Sequence, residues 1–185
     1  MFKTRVGAGL LVLALVVTTS MNARPAVAAS TQELNRDADK ALAKLYASNP
    51  GARSLERRAT AILIFPTVAK AGFLFGAQYG DGVLRRRGKT VGYYNTVAAS
   101  FGYQAGLQTF GYVLFFMSES ALKYLDESGG FELGAGPSLV VLDAGKTAAF
   151  SSTTIQSDIY AVIFDEAGLM AGVGLQGSKI SRIDR

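Results

Sequence analysis

Apolar residues change their period several times along this chain. From Ser30 to Ser48, Leu34, Ala38, Ala41, Leu42 and Leu45 return at helical spacing, with Arg36, Asp37, Lys40 and Lys44 mostly elsewhere on the wheel. Ser30 or Thr31 supplies a cap, and Glu33 stands three residues after Ser30, the spacing of a capping box. Asn49-Pro50-Gly51 stops this helix. A second short helix is predicted over Ala52 to Ala61, followed by the buried run Ile62-Leu63-Ile64-Phe65, which Pro66 closes.

The period then drops to two. In Gly72 to Leu84, Phe73, Phe75, Ala77 and Tyr79 alternate with Gly76, Gln78, Gly80 and Gly82. Ser100 to Thr109 and Gly168 to Ser178 repeat the same grammar of apolar residues interleaved with Gly and Gln. Strict alternation predicts strands with one apolar face. The Gly/Gln face admits close approach to the backbone or a tight curl of the sheet. Further strands are expected at Thr90–Asn95, Ser138–Asp143, Ala148–Thr154 and Tyr160–Phe164, and a helix at Ser118–Ser128 that Gly129-Gly130 ends. The predicted class is α+β: a curled, mostly antiparallel, Gly-rich and barrel-like sheet, with the N-terminal helices and one middle helix packed on it.

Val97 to Met117 runs 21 residues without a charge, the length of a membrane span. Gln104, Gln108, three glycines and the period-two first half favour a strand instead. A small outer-membrane barrel is the rival reading, because its strands alternate in the same way. The residues left after the helices are few for eight strands of about ten residues each.

Composition narrows the chemistry. Residues 1–28 read as a secretory leader: Lys3 and Arg5 precede an apolar run from Val6 to Val17, and Ala26-Val27-Ala28 has the small-x-small cleavage pattern. A retained anchor is the alternative, and the run is short for one. Residues 29–185 then form a single exported domain, periplasmic or peripherally associated with the cell envelope. The chain has neither Cys nor His. Disulfides, thiol catalysis, Cys- or His-ligated metals and the usual general base are therefore missing. No phosphate-loop motif or acidic metal-binding spacing appears, so neither catalysis nor a cofactor is expected. Asp165-Glu166 and Asp126-Glu127 read as solvated acidic pairs.

Charge is unevenly spread. Residues 53–89 hold eight bases against Glu56 and Asp81, whereas residues 90–185 hold five bases and nine acids. Within the basic stretch, Arg85-Arg86-Arg87-Gly88-Lys89 joins two predicted strands and so occupies a hairpin tip. Four positive charges there need solvent or an anionic partner. The bland reading is a solvated loop that guards a sheet edge. The functional one is contact with lipid phosphates by Arg85, Arg86, Arg87 and Lys89, extended by Lys70 and by Arg53, Arg57 and Arg58. Export makes nucleic acid an improbable partner for the same patch.

The ordered set of motifs resembles the SYLF domain, also called the Ysc84 family. Ala61-Ile62-Leu63-Ile64-Phe65-Pro66, Lys70-Ala71-Gly72-Phe73 and Gly80-Asp81-Gly82-Val83-Leu84 are similar to its opening. Ala99 to Gly106 is similar to its central Gly/Gln strand, and Phe115-Phe116-Met117 with the following helix to its middle segment. Gly134-Ala135-Gly136-Pro137-Ser138 and Tyr160 through Ser178 complete the order, while Tyr93-Tyr94-Asn95 and Gln176 depart from it. The resemblance implies phospholipid binding, here to an anionic membrane surface, with phosphoinositides and actin-regulating partners implied for eukaryotic members. The alternative is a non-catalytic structural or protein-interaction domain of the envelope, with envelope proteins as its partners.

Overall fold

The computed structural model describes residues 30–127, 130–143, 156–168, 175 and 177–185. Helix α1 (Thr31–Ser48) begins as its sequence predicts: the Ser30 hydroxyl accepts from the Glu33 N–H, and Glu33 accepts from the Ser30 N–H. Asn49 both ends α1 and caps α2 (Pro50–Glu56), its side chain accepting from the Ala52 N–H at 3.0 Å. The second helix therefore starts and stops earlier than Ala52–Ala61. Pro50 suits its first turn, because the proline nitrogen has no hydrogen to leave unpaired.

Two long strands follow, β1 (Ala61–Arg86) and β2 (Lys89–Phe116), paired antiparallel through most of their length. Pro66 does not end β1. It sits in a register shift between Phe65 and Val68, where a bulge absorbs its missing N–H and the strand continues. The uncharged run from Val97 is likewise strand as far as Phe116, and no described helix is long and apolar enough to cross a membrane. Helix α3 (Glu119–Glu127) follows, with the Ser118 hydroxyl accepting from the Ala121 N–H.

The remaining strands are β3 (Phe131–Glu132), β4 (Leu139–Asp143), β5 (Ile159–Gly168) and β6 (Lys179–Ile183). On the side of β2 away from β1, β5 pairs with its C-terminal part from Gln108 and β6 with Tyr93–Val97. β3 joins β6, and β4 joins β5 in the one parallel pairing among the described strands. The fold is α+β, with a mostly antiparallel sheet curled into a half-barrel. The predicted leader, the strand expected at Ala148–Thr154 and most of the third Gly-rich segment lie outside the described residues. The short β3 and the strand β6 carry too little alternation to have been foreseen.

Glycines make the curl. A Cβ on Gly80 would lie 2.7 Å from Val68 Cγ2 and 2.8 Å from the Thr67 carbonyl; one on Gly82 would lie 2.7 Å from the Phe65 ring. The two halves of β1 thus fold onto one another, and the group that approaches the Gly face is the same strand. Inside the curl, Leu63, Phe65, Leu84, Tyr94, Tyr112 and Phe116 pack with the inner face of α3, and the Phe65 and Tyr112 rings stack at 4.6 Å. Outside it, Ile62, Ile64, Val83, Val113 and Phe115 form a second apolar layer beneath α1 and α2.

Candidate functional site at the hairpin tip

Arg86 pairs with Lys89 across the turn, leaving a two-residue loop of Arg87 and Gly88 with φ of 51° and 76°. Two successive positive φ values define the tight turn that matches the twist of a hairpin, and glycine takes its second position without strain. The basic run is thus at a hairpin tip, as expected.

Strand alternation then divides the four charges. Arg85 turns toward α1, where its guanidinium donates to Asp39 at 2.5 Å and to the Asn35 carbonyl at 3.2 Å. Its side chain is only 13% exposed, and its Nε is buried with no hydrogen-bond partner among the described residues. Arg86 turns to the other face and pairs with Glu119 in the first turn of α3. Arg87 and Lys89 are exposed at the tip, and neither forms an ion pair with another described residue. Two of the four charges expected to meet a headgroup are therefore tied to carboxylates of the same molecule.

Lys70 is not part of this surface. It is 6% exposed, faces the interior beside the equally buried Gln108, and lies 16 residues along β1 from Arg86. At about 3.3 Å per residue that is roughly 50 Å of strand, measured along the bend. The bulge at Pro66 sets its inward facing, which sequence alternation alone does not predict.

A cleft of about 310 Å³ adjoins the tip, between the helices and the hairpin. Arg57, Arg85 and Arg87 enter it with Glu56 as the one acid, and Leu42, Ala61 and Ile62 form apolar lining. Arg57 is held by a bond from its guanidinium to the Ser54 hydroxyl at 2.9 Å. Arg53 of α2 is exposed and lies over the Tyr46 ring at 5.2 Å. Burial, and then the Glu56 carboxylate, raises the Tyr46 phenol, so it stays neutral. The arrangement presents guanidinium groups above an apolar floor, which suits an anionic group carried on a hydrocarbon. Among the described residues no cluster of acids is placed to hold a metal.

The acidic pair at Asp126-Glu127 has a part that composition did not reveal. Asp126 accepts from the Tyr94 hydroxyl at 2.6 Å and from Arg182 at 3.5 Å, tying α3 to β2 and β6. Asp165 is exposed but pairs with Lys44 of α1 at 2.7 Å.

Residues 97–184 match the family model described as Ysc84, Las17-binding protein actin regulator. Protein YSC84 of Saccharomyces cerevisiae is 32% identical over 131 residues, which cover 67% of this chain and 28% of that protein. LAS seventeen-binding protein 3 of the same yeast is 30% identical over 131 residues, with the same coverage. The chain thus spans 28% of the length of the curated relatives it matches. With the curled Gly-rich sheet and the ordered motifs along it, the match establishes that this chain belongs to the Ysc84 (SYLF) family.

Proposed function

We propose that the protein is an exported, non-catalytic module that contacts anionic phospholipid headgroups through the basic surface at its hairpin tip. The observation that carries this reading is the division of the tip charges. Arg85 and Arg86 are held by Asp39 and Glu119, while Arg87 and Lys89 project into solvent beside a cleft that Arg57 enters. A basic side chain beside an anionic surface contributes about 1 kcal/mol, and the contribution falls as salt screens it. The headgroup contacts are thus Arg87, Lys89 and Arg57, with Arg85 and Arg86 serving mainly to fix the tip. Residues 1–28 supply the export signal on this reading.

Co-sedimentation with vesicles of phosphatidylcholine and phosphatidylglycerol tests it. Binding should require phosphatidylglycerol, weaken with salt, and fall about tenfold or more in the Arg87→Ala, Lys89→Ala double variant. Unchanged binding in that variant would remove the tip from the mechanism.

A second reading follows from the name of one relative, LAS seventeen-binding protein 3. A protein partner on the envelope would use the same cleft without lipid. No binding to either vesicle type, together with a stable complex that the Arg57→Ala variant weakens, would favour it.

A further inference from the structure

The distal part of the long hairpin has its polarity reversed. Beyond the reach of α1, Ala69, Ala71, Ala77 and Tyr79 of β1 are exposed. For three of these four the cross-strand neighbour on β2 is apolar and exposed as well: Leu107 opposite Ala71, Ala99 opposite Ala77 and Val97 opposite Tyr79. Leu107 is 61% exposed, Tyr79 51% and Val97 45%. Among the described residues, the interior face of the same segment carries polar side chains. Lys70, Gln78, Thr96 and Gln108 are all buried. Gln78 donates to the Ser178 hydroxyl at 2.9 Å, the Thr96 hydroxyl faces that of the buried Tyr112, and the Gln108 Oε1 is buried without a hydrogen-bond partner among the described residues.

A sheet built for water has the opposite order, apolar in and polar out. The same two strands follow that order elsewhere: Phe65, Leu84 and Tyr112 point inward, and outward Ile62, Ile64 and Val83 are covered by the helices. The reversal begins where the helical cover ends. Apolar-out and polar-in is the alternation of a barrel wall that faces lipid. A protein partner or a second copy would cover the outer residues, but would not account for buried polar groups behind them. Charge agrees with this assignment. No charged residue lies between Lys70 and Asp81 on β1 or between Lys89 and Glu119 along β2. At the border of the apolar segment, the exposed Lys179 stands in register with Val97, and the Tyr79 hydroxyl turns to Asp81 at 2.7 Å. An aromatic ring with its polar end turned out, flanked by a lysine, is the arrangement of side chains at a lipid–water boundary.

We infer that this segment of the hairpin enters the acyl layer of a lipid surface, with Tyr79, Val97 and Leu107 facing hydrocarbon and Lys70, Gln78, Thr96 and Gln108 kept in the curl. The inference deepens the membrane reading and rests on it. It differs in assigning a second, salt-insensitive contact to a face distant along the strand from the charged tip.

The chain has no Cys, so single Cys positions carry a label without a background. An environment-sensitive fluorophore at Leu107→Cys or Val97→Cys should shift to the blue on vesicles of equal parts phosphatidylcholine and phosphatidylglycerol. Brominated acyl chains should quench it severalfold. The same label at Val141→Cys or Lys123→Cys should show neither effect. The Val97→Asp, Leu107→Asp double variant should lose about tenfold in partition at high salt, where the tip contributes little. Both positions are exposed, so its thermal unfolding midpoint should match that of the parent. Labels at 97 and 107 that stay water-exposed on vesicles the protein still binds in a salt-sensitive way would overturn the insertion and leave the headgroup reading intact. A blue shift that appears without vesicles and grows with protein concentration would also overturn it, in favour of a second copy on this face. Loss of all vesicle binding in the unmodified chain would overturn both readings together.

Discussion

Arg85 of β1 and Asp39 of α1 form an ion pair at 2.5 Å, in which the arginine side chain is 13% exposed and the aspartate 64%. Most of the desolvation therefore falls on the arginine, which also donates to the Asn35 carbonyl. The pair fastens α1 to the hairpin just before its tip. Arg85→Ala should destabilise the fold by about 1–2 kcal/mol, between the values for exposed and buried pairs. Arg87→Ala, which breaks no ion pair among the described residues, should stay within about 0.5 kcal/mol. Denaturant unfolding of the two variants compares them directly. Asp39→Asn should act in the opposite sense on membrane binding: it frees the Arg85 charge beside the cleft, so affinity for anionic vesicles should rise at low salt.

The curl of β1 makes Gly80 and Gly82 sensitive to a single methyl group. At Gly82 an added Cβ meets the Phe65 ring at 2.7 Å and the Ile64 carbonyl at 2.9 Å; at Gly80 it meets the Thr67 carbonyl at 2.8 Å. Backbone oxygens cannot swing aside as a side-chain end can. Each Gly→Ala change should cost about 2–3 kcal/mol. Gly88→Ala tests a different cause, since no atom of a described residue lies within 4 Å of its added Cβ but its φ is 76°. That variant should cost about 1 kcal/mol through backbone strain alone. Thermal or denaturant melts should show Gly80→Ala and Gly82→Ala both less stable than Gly88→Ala.

The alternation of Gly and Gln with larger residues announced the strands and the curl, because period two and the lack of Cβ atoms are local properties. The direction of each face was not local. Ala77 and Tyr79 look like core residues in the sequence, yet they are exposed while Gln78 and Gly80 are buried. That outcome depends on where α1 stops covering the sheet and on a bulge at Pro66. The tip at Arg85–Lys89 was equally legible as a turn between strands. Its electrostatics were not, because the carboxylates that hold Arg85 and Arg86 come from 46 residues before and 33 residues after them.

Lys70 offers a test of that lesson. The residue is 6% exposed, and no carboxylate pairs with it among the described residues. A lysine that contributed to headgroup contact would, on substitution, weaken vesicle binding and flatten its salt dependence. Lys70→Met should do neither. Methionine keeps the unbranched apolar stem that is buried here, so the variant should unfold within about 1 kcal/mol of the parent in buffer.

Acid should expose a different joint. The Asp158 carboxylate accepts from the Ser138 hydroxyl at 2.8 Å and its N–H at 3.1 Å, while the Asp158 N–H returns a bond to the Ser138 hydroxyl at 2.9 Å. The Ser118 hydroxyl, which caps α3, reaches the same carboxylate at 3.5 Å. One side chain thus joins the starts of α3, β4 and β5. The Ser138 hydroxyl and then the Ser138 N–H hold the Asp158 carboxyl below its ordinary value of 3.8. A carboxyl lowered in the folded state binds fewer protons there than when unfolded. Its contribution is therefore complete above the ordinary value and is lost as pH falls through the lowered one. Asp158→Asn should cost about 1 kcal/mol at neutral pH. Glu33 is shifted in the same direction by its bonds with Ser30, so the parent curve alone does not isolate Asp158. The informative quantity is the difference in stability between parent and Asp158→Asn across acid pH. It should be constant from neutrality down to the ordinary carboxylate range and shrink below it. A gap that stays constant at lower pH would mean that the carboxylate charge does not hold this joint.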